Sequence, residues 1–160
     1  MKKIVLIALI LIVAGSLYFF NKTEKEVTVE WKVYSEGEVE KSLEELPFHV
    51  KLPAYLPDGV TSRESVIYVL DGEPRSIELN YLNENYGEGF LFDASLGSLD
   101  ALPETIKWKD IYINESIGYI GHVDDTGETF LYWMNDRILY QICSNNISED
   151  EIVKIAASLY

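Results

Sequence analysis

Thr129-Phe130-Leu131-Tyr132-Trp133-Met134, followed by Asn135-Asp136 and then by Ile138-Leu139-Tyr140-Gln141-Ile142-Cys143, is the stretch on which the fold turns. Two runs of aromatic and β-branched residues on either side of a turn dipeptide read as antiparallel strands. In the first run Phe130, Tyr132 and Met134 share one face and Leu131 and Trp133 the other, which predicts a central strand buried on both sides. Working back toward the N-terminus, Asp124-Asp125-Thr126-Gly127 reads as a turn between strands at 117–123 and 129–134, and a further strand is expected at 105–113. A loop at 97–104 containing Pro103 precedes it, after a strand at 90–96. Residues 83–89 read as another loop. Ile77, Leu79 and Tyr81 alternate with Glu78 and Asn80, and with residues 66–70 across Asp71-Gly72-Glu73-Pro74 they predict a hairpin. Val27, Val29, Trp31 and Val33 alternate with Thr28, Glu30, Lys32 and Tyr34 as a half-buried strand, with Ser35-Glu36-Gly37 as its turn. Ser42 and Glu45 have capping-box spacing for a short helix that Pro47 stops. Beyond Cys143, Ile152, Ile155, Ala156 and Leu159 recur at helical spacing. Ser148 and Glu151 form a second capping box, and Ile147 and Ile152 a hydrophobic staple. The expectation is an α+β domain: a meander-like antiparallel sheet of about eight strands with a C-terminal helix packed on it.

The chain of 160 residues is 48% apolar and carries 13 basic against 27 acidic residues. Setting aside Lys2 and Lys3 leaves 11 basic against 27 acidic, a net of −16. A nucleic-acid partner is excluded by that sign, since binding a polyanion begins with neutralising phosphates. Contact of the body with anionic lipid is disfavoured for the same reason. The single cysteine, Cys143, excludes an internal disulfide framework and a multi-cysteine zinc site.

Residues 4–20 are uncharged and rich in Ile, Leu, Val and Phe, and Lys2 and Lys3 precede them. At about 1.5 Å per residue this run is at the short end of what spans a hydrocarbon core. The flanking lysines favour an N-terminus in the cytoplasm and a C-terminal domain on the other side. Two readings follow for residues 1–20: an uncleaved transmembrane anchor, or a signal peptide cleaved near Ala14-Gly15-Ser16. Leu17-Tyr18-Phe19-Phe20 continues the apolar run past that point and favours the anchor. Residues 21–26 then serve as a tether and residues 27–160 as one extracytoplasmic domain, single-pass in the cell membrane or, if cleaved, secreted.

Leu52-Pro53-Ala54-Tyr55-Leu56-Pro57-Asp58-Gly59, the strand-rich middle, and the ending Ile155-Ala156-Ala157-Ser158-Leu159 resemble an uncharacterised extracytoplasmic domain of Gram-positive bacteria. The resemblance spans residues 48–160, rests on the order of elements, and marks Leu52, Pro53, Tyr55, Leu56, Pro57 and Gly59 as the family phrase. It implies a domain that follows a membrane helix, in some relatives beneath an anti-sigma-factor segment and in others as a lipoprotein. Only three residues precede the apolar run here, so the resemblance is expected to carry no direct sigma-factor control. It implies no activity and no cofactor.

Candidate chemistry is sparse. Asp125-Thr126-Gly127 matches the tripeptide of aspartic proteases, in which paired carboxylates share a proton. A single copy requires a homodimer, and Asp-Thr-Gly is also an ordinary hairpin turn. Asp124, Asp125 and Glu128 crowd one turn, where oxygen ligands could recruit calcium, although no EF-hand spacing is present. His49 and His122 lack a second ligand at metal spacing. No Gly-x-Ser-x-Gly, no reactive-cysteine signature and no glycine-rich phosphate loop occurs. Cys143, following Ile142 in an apolar strand, reads as a small core residue.

Tyr68, Tyr81, Phe90, Phe92, Trp108, Tyr112, Tyr119, Phe130, Tyr132, Trp133 and Tyr140 all fall in predicted strands. With one helix on one face, about half of them point away from it and offer a surface for a peptide, glycan or partner. The function expected is a membrane-tethered extracytoplasmic binding or sensing module, non-enzymatic, contacting an envelope protein or small ligand. The alternatives are an envelope hydrolase built from scattered residues such as His122, Asp124 and Asp125, and a carrier of an apolar ligand in a sheet-and-helix cleft.

Overall fold

Asp71 and Gly72 both take left-handed backbone, with φ of 52° and 82°. That geometry closes the tight hairpin between β2 (Thr61–Leu70) and β3 (Glu73–Leu82). The same device recurs at Asp136 (φ 51°) and Arg137 (φ 69°), which turn β7 (Glu128–Asn135) into β8 (Ile138–Ser144). The turn thus sits one residue later than the Asn135-Asp136 pair the sequence suggests. The computed structural model describes residues 27–83 and 89–160. The predicted anchor or signal segment at 1–20, the tether at 21–26 and most of the loop expected at 83–89 lie outside the described residues. No helix among the described residues is long and apolar enough to cross a membrane.

The remaining strands are β1 (Val29–Ser35), β4 (Gly89–Ser95), β5 (Trp108–Ile113) and β6 (Ser116–Val123). All eight form one antiparallel sheet in the order β1-β2-β3-β4-β8-β7-β6-β5. This corrects the expected meander. There are two four-strand meanders, and the second is laid down in reverse, so that β8 pairs with β4 and β5 ends at the far edge. The connection 96–107 therefore traverses the width of three strands. Alternation along each strand identifies inward residues but says nothing of which strands are neighbours, and so the sequence could not show this.

One face of the sheet carries the core. Ile67, Ile77, Leu79, Phe92, Leu131, Trp133, Tyr140 and Ile142 are almost wholly buried there, together with Ile152, Ile155 and Ala156 of α2 (Glu149–Ala157). Trp133 stacks on Tyr140 with centroids 5.4 Å apart. Ser148 caps α2 as predicted, its hydroxyl accepting the Glu151 N–H at 3.3 Å. A shorter helix, α1 (Val39–Glu44), lies over β2 on the same face. Here the predicted cap is wrong. Ser42 sits inside α1 and is buried, donating to the Val39 carbonyl and accepting from the Ser65 hydroxyl. The box actually used lies one turn earlier, where the Ser35 N–H and hydroxyl both donate to the Glu38 carboxylate.

β1 is also turned over relative to its apparent pattern. Tyr34, from the apparently polar set, is the buried residue, while Val29, Trp31 and Val33 point outward, the latter two 63% and 62% exposed. Tyr34 packs in the core against the helix layer, and Lys32 on the same face reaches Glu45 just beyond α1 at 2.6 Å. Once Tyr34 is inward, the pleat forces Trp31 and Val33 out.

Candidate functional site

Both α-helices cover the core face, which leaves the second face of the sheet to be considered by itself. Cross-strand register aligns its side chains in rows. One row runs Val33, Val66, Glu78, Asp93, Gln141, Tyr132, Tyr119, Asp110, one residue from each of the eight strands. A neighbouring row carries Trp31, Tyr68, Ser76, Ser95 and Leu139, and the row on the other side Ser35, Glu64, Asn80, Leu91, Cys143 and Phe130.

The connection 96–107 covers part of this face. Its 3-10 turn, Leu99–Ala101, lies against β7. The Trp108 indole N–H donates to the Pro103 carbonyl at 3.0 Å, and the ring meets Tyr132 edge-on at 5.4 Å. Gly121 makes room: a Cβ there would stand 2.5 Å from the Ile106 methyl and 2.9 Å from the Trp108 ring. This cover falls over β6 and β7; at the other end of the same face Trp31 and Val33 of β1 are exposed, while Ser76 and Asp93 between them and the cover are buried.

At the centre of the face stands Asp93, 6% exposed, in the middle strand β4. One of its carboxylate oxygens, Oδ2, is buried without a hydrogen-bond partner. Glu78 is directly opposite on β3, at the about 4.5–5.5 Å Cβ separation of a cross-strand pair. Glu64 sits diagonally beyond it on β2. Burial raises the Asp93 carboxyl well above its ordinary range, Glu78 adds to this by like charge, and Ser95 opposes it. Glu78 is itself raised by burial and by Glu64. The phenols of Tyr68 and Tyr132 are raised by burial and by the charge of Asp93, with Glu78 also acting on Tyr68. Burial likewise pushes the Cys143 thiol to about 12; it is a buried, inert group, but it lies on this second face beside Leu91 and Phe130 and outside the core in which the sequence places it. None of Glu64, Glu78 and Asp93 forms an ion pair among the described residues. Chemically the arrangement is a pair of carboxyls, both raised above their ordinary range, among aromatic rings and short of positive charge.

The residues singled out from sequence lie elsewhere. Asp124, Asp125 and Glu128 belong to the exposed β6–β7 turn, where the Thr126 and Gly127 N–H groups donate to the Val123 carbonyl and the Thr126 hydroxyl to Glu128. No group of three or more His, Cys, Asp or Glu among the described residues could hold a metal ion. Exposed His122 lies on the opposite, core-side face. Its Nδ1 is 2.8 Å from the Thr129 hydroxyl and its Nε2 3.9 Å from Glu149. His49 lines a shallow depression of about 420 Å³ with Leu43, Leu46, Pro47 and Phe48, open to solvent rather than an enclosed apolar cleft.

The family phrase builds a strap around the end of α2. Pro53 bridges to Leu159, the Ala54 N–H donates to the Ser158 carbonyl, and the Tyr160 N–H donates to the Leu52 carbonyl. Tyr55 donates its N–H to the Ser158 hydroxyl and its phenol O–H to Glu151. Leu56 packs against the core, and the Val60 N–H closes a turn on the Pro57 carbonyl. Gly59 (φ 75°) lies so close to Asn83 that a Cβ would stand 2.8 Å from the amide nitrogen. Asn83 in turn donates to the Asp58 carbonyl at 2.9 Å. These residues hold the C-terminus in place and do not converge on a chemical centre.

An eight-strand antiparallel sheet with a strapped C-terminal helix and an acid-lined second face is the class these features define. Residues 50–159 match the family described as a domain of unknown function, DUF4367, and the chain belongs to that family. No curated protein and no solved structure matches. The match covers the strap, β2 to β8 and α2, close to the span of the resemblance, and β1 and α1 precede it. Sequence reasoning passed over Asp93 and Glu78. The signal available was an acid at the centre of Phe90-Leu91-Phe92-Asp93-Ala94, where an apolar strand has no evident use for one.

Proposed function

We propose that the protein is a membrane-tethered extracytoplasmic binding or sensing module, non-enzymatic, that engages its ligand or partner on the second face of its sheet. Support for the tether comes from the uncharged run at 4–20 behind Lys2 and Lys3 and from the acidic balance of all that follows. The observation that carries the binding role is the second face itself: exposed Trp31 and Val33 of β1 share it with Glu78 on β3 and the unpartnered, buried Asp93 on β4, with Val66 and Tyr68 of β2 between them. Large apolar side chains beside unsatisfied polar groups characterise surfaces that are completed by something else.

Protease treatment of intact cells carrying a C-terminally tagged chain tests the placement. The expected result is loss of the tag from intact cells, with the untreated chain retaining its full-length mass in the membrane fraction. A protected tag overturns the external placement, and a mass lacking the first residues replaces the anchor with a cleaved signal.

A further inference from the structure

We infer that Glu78 and Asp93, with Glu64 beside them, form a recognition site for the lysine side chain of a basic polypeptide partner, its ammonium set between the two carboxyls and its stem lying on Val66 and Tyr68. The inference rests on the binding role just proposed for this face and names what the face binds.

Four observations carry it. First, the Asp93 Oδ2 is buried and lacks a partner, in a residue only 6% exposed that faces this surface. A buried acceptor without a donor is costly, and an ammonium brings three donors. Second, the three acids are strung across β2, β3 and β4 at successive strand spacings of about 4.8 Å and find no ion pair among the described residues. They do not gather as a metal cage: no metal-holding group of His, Cys, Asp or Glu exists among the described residues. An extended array of negative sites suits a flexible cationic chain better than a point ion. Third, the neighbours are of the kind that accept an aliphatic stem and an ammonium head. Val66 is cross-strand from Glu78 with Tyr68 diagonal to it, and Val33 and Trp31 continue these rows onto β1. Fourth, Trp31 and Val33 offer more exposed apolar area than one amine can cover, which favours a polypeptide over a free small amine. The strongly negative balance of the chain steers such a basic partner.

Binding exchanges protons for the cation. The groups facing Asp93 and Glu78 are Glu64 and Tyr68 on β2, Tyr132 on β7, Cys143 on β8 and Ser95 on β4 itself; none carries positive charge. An arriving ammonium therefore lowers the raised carboxyls and drives their protons into solvent. Affinity rises with pH by up to about tenfold per unit for each proton released.

The experiment is calorimetric titration of the full-length protein in nonionic detergent. The probe is a blocked pentapeptide with lysines two residues apart; its norleucine counterpart and 1,5-diaminopentane are titrated alongside. At pH 8 the lysine peptide is expected to bind at least tenfold more tightly than at pH 6, with proton release seen as a buffer-dependent heat. Glu78→Gln and Asp93→Asn each weaken it at least tenfold, while the paired Asp124→Asn, Asp125→Asn variant stays within twofold. The norleucine peptide does not bind. Absence of binding at millimolar lysine peptide overturns the inference, as does equal weakening by the turn variant, which signals diffuse charge attraction only. Diamine binding as tight as the peptide's overturns the polypeptide partner. A photocrosslinker placed by Trp31→benzoylphenylalanine in living cells separates the two failures. Adducts without lysine binding leave the surface role standing and remove the lysine site, whereas no adduct and no binding remove both.

Discussion

Asp93 stands between Phe92 and Ala94, both wholly buried, and is itself almost as buried on the opposite face. Its folded-state carboxyl titrates well above the ordinary range, whereas the unfolded chain's titrates near it. Between those two values the native state holds more protons than the unfolded state, so stability falls as pH rises through that window. Glu78 acts in the same direction. The carboxyls of Glu38, Glu45, Asp136 and Glu151, each lowered first by a hydrogen bond from a neighbouring side chain, act oppositely and only as pH falls through and below the ordinary carboxylate range. Asp93→Asn keeps the shape and removes the ionisation. It is expected to raise stability at pH 8 by about 1–3 kcal/mol and to flatten the decline between pH 5 and pH 8, measured by urea unfolding at both values. An unchanged pH slope shows that the burial of Asp93 does not set it. Two tryptophans give the matching contrast in packing. Trp133→Ala, at a site with no exposure, costs about 3–5 kcal/mol. Trp31→Ala, 63% exposed, changes stability by less than about 0.5 kcal/mol. The inward role of Trp133 was legible from the alternation at 129–134. That of Asp93 was not, because a polar residue in an apolar run looks the same whether it faces solvent or a half-covered sheet.

At the scale of elements, α2 was the most legible because its signals are local. Ser148 sits where a cap is required, and Ile152, Ile155 and Ala156 fall on the buried stripe. Only half of the predicted box forms: the Glu151 carboxylate serves Tyr55 and Lys154 instead of reaching back to the cap. Ser148→Ala is accordingly expected to cost about 1 kcal/mol through the lost cap. Tyr55→Phe costs about half as much or less, since its bond is solvent-exposed. Thermal melts of the two single variants and the double variant check this, and additivity is expected because the two act on different groups of the helix end. The elements read wrongly were those decided at a distance. The Ser42 hydroxyl accepts from Ser65, 23 residues away, and Tyr34 goes inward because the helix layer receives it there. Neither partner is visible in the local pattern that suggested a cap at Ser42 and an inward Trp31.

For the whole molecule, the reversed second meander is what creates the candidate site. Because β8 pairs with β4, Asp93 stands in the middle of the sheet and not at an edge, and the connection to β5 must cross three strands, coming to rest in part over β6 and β7. Strand positions and turns were readable from composition and period. Strand order was not, because the β4–β8 pairing joins residues about 50 positions apart with no turn between them to fix it. Gly121 is the point where this arrangement can be tested. It presents no side chain on the second face, and Ile106 and Trp108 occupy the space a Cβ would take, at 2.5 and 2.9 Å. Gly121→Val forces the connection away from the sheet. The expected cost is about 1–3 kcal/mol, with faster hydrogen exchange in segment 96–107 and greater exposure of the Trp108 and Tyr132 rings. Exchange over β2 and β3 is expected to remain as in the parent protein, because Gly121 lies on β6, across β4, β8 and β7 from them. Should β2 and β3 loosen together with the connection, the two halves of the face are energetically one unit, and binding at Asp93 is then expected to tighten the crossing segment as well.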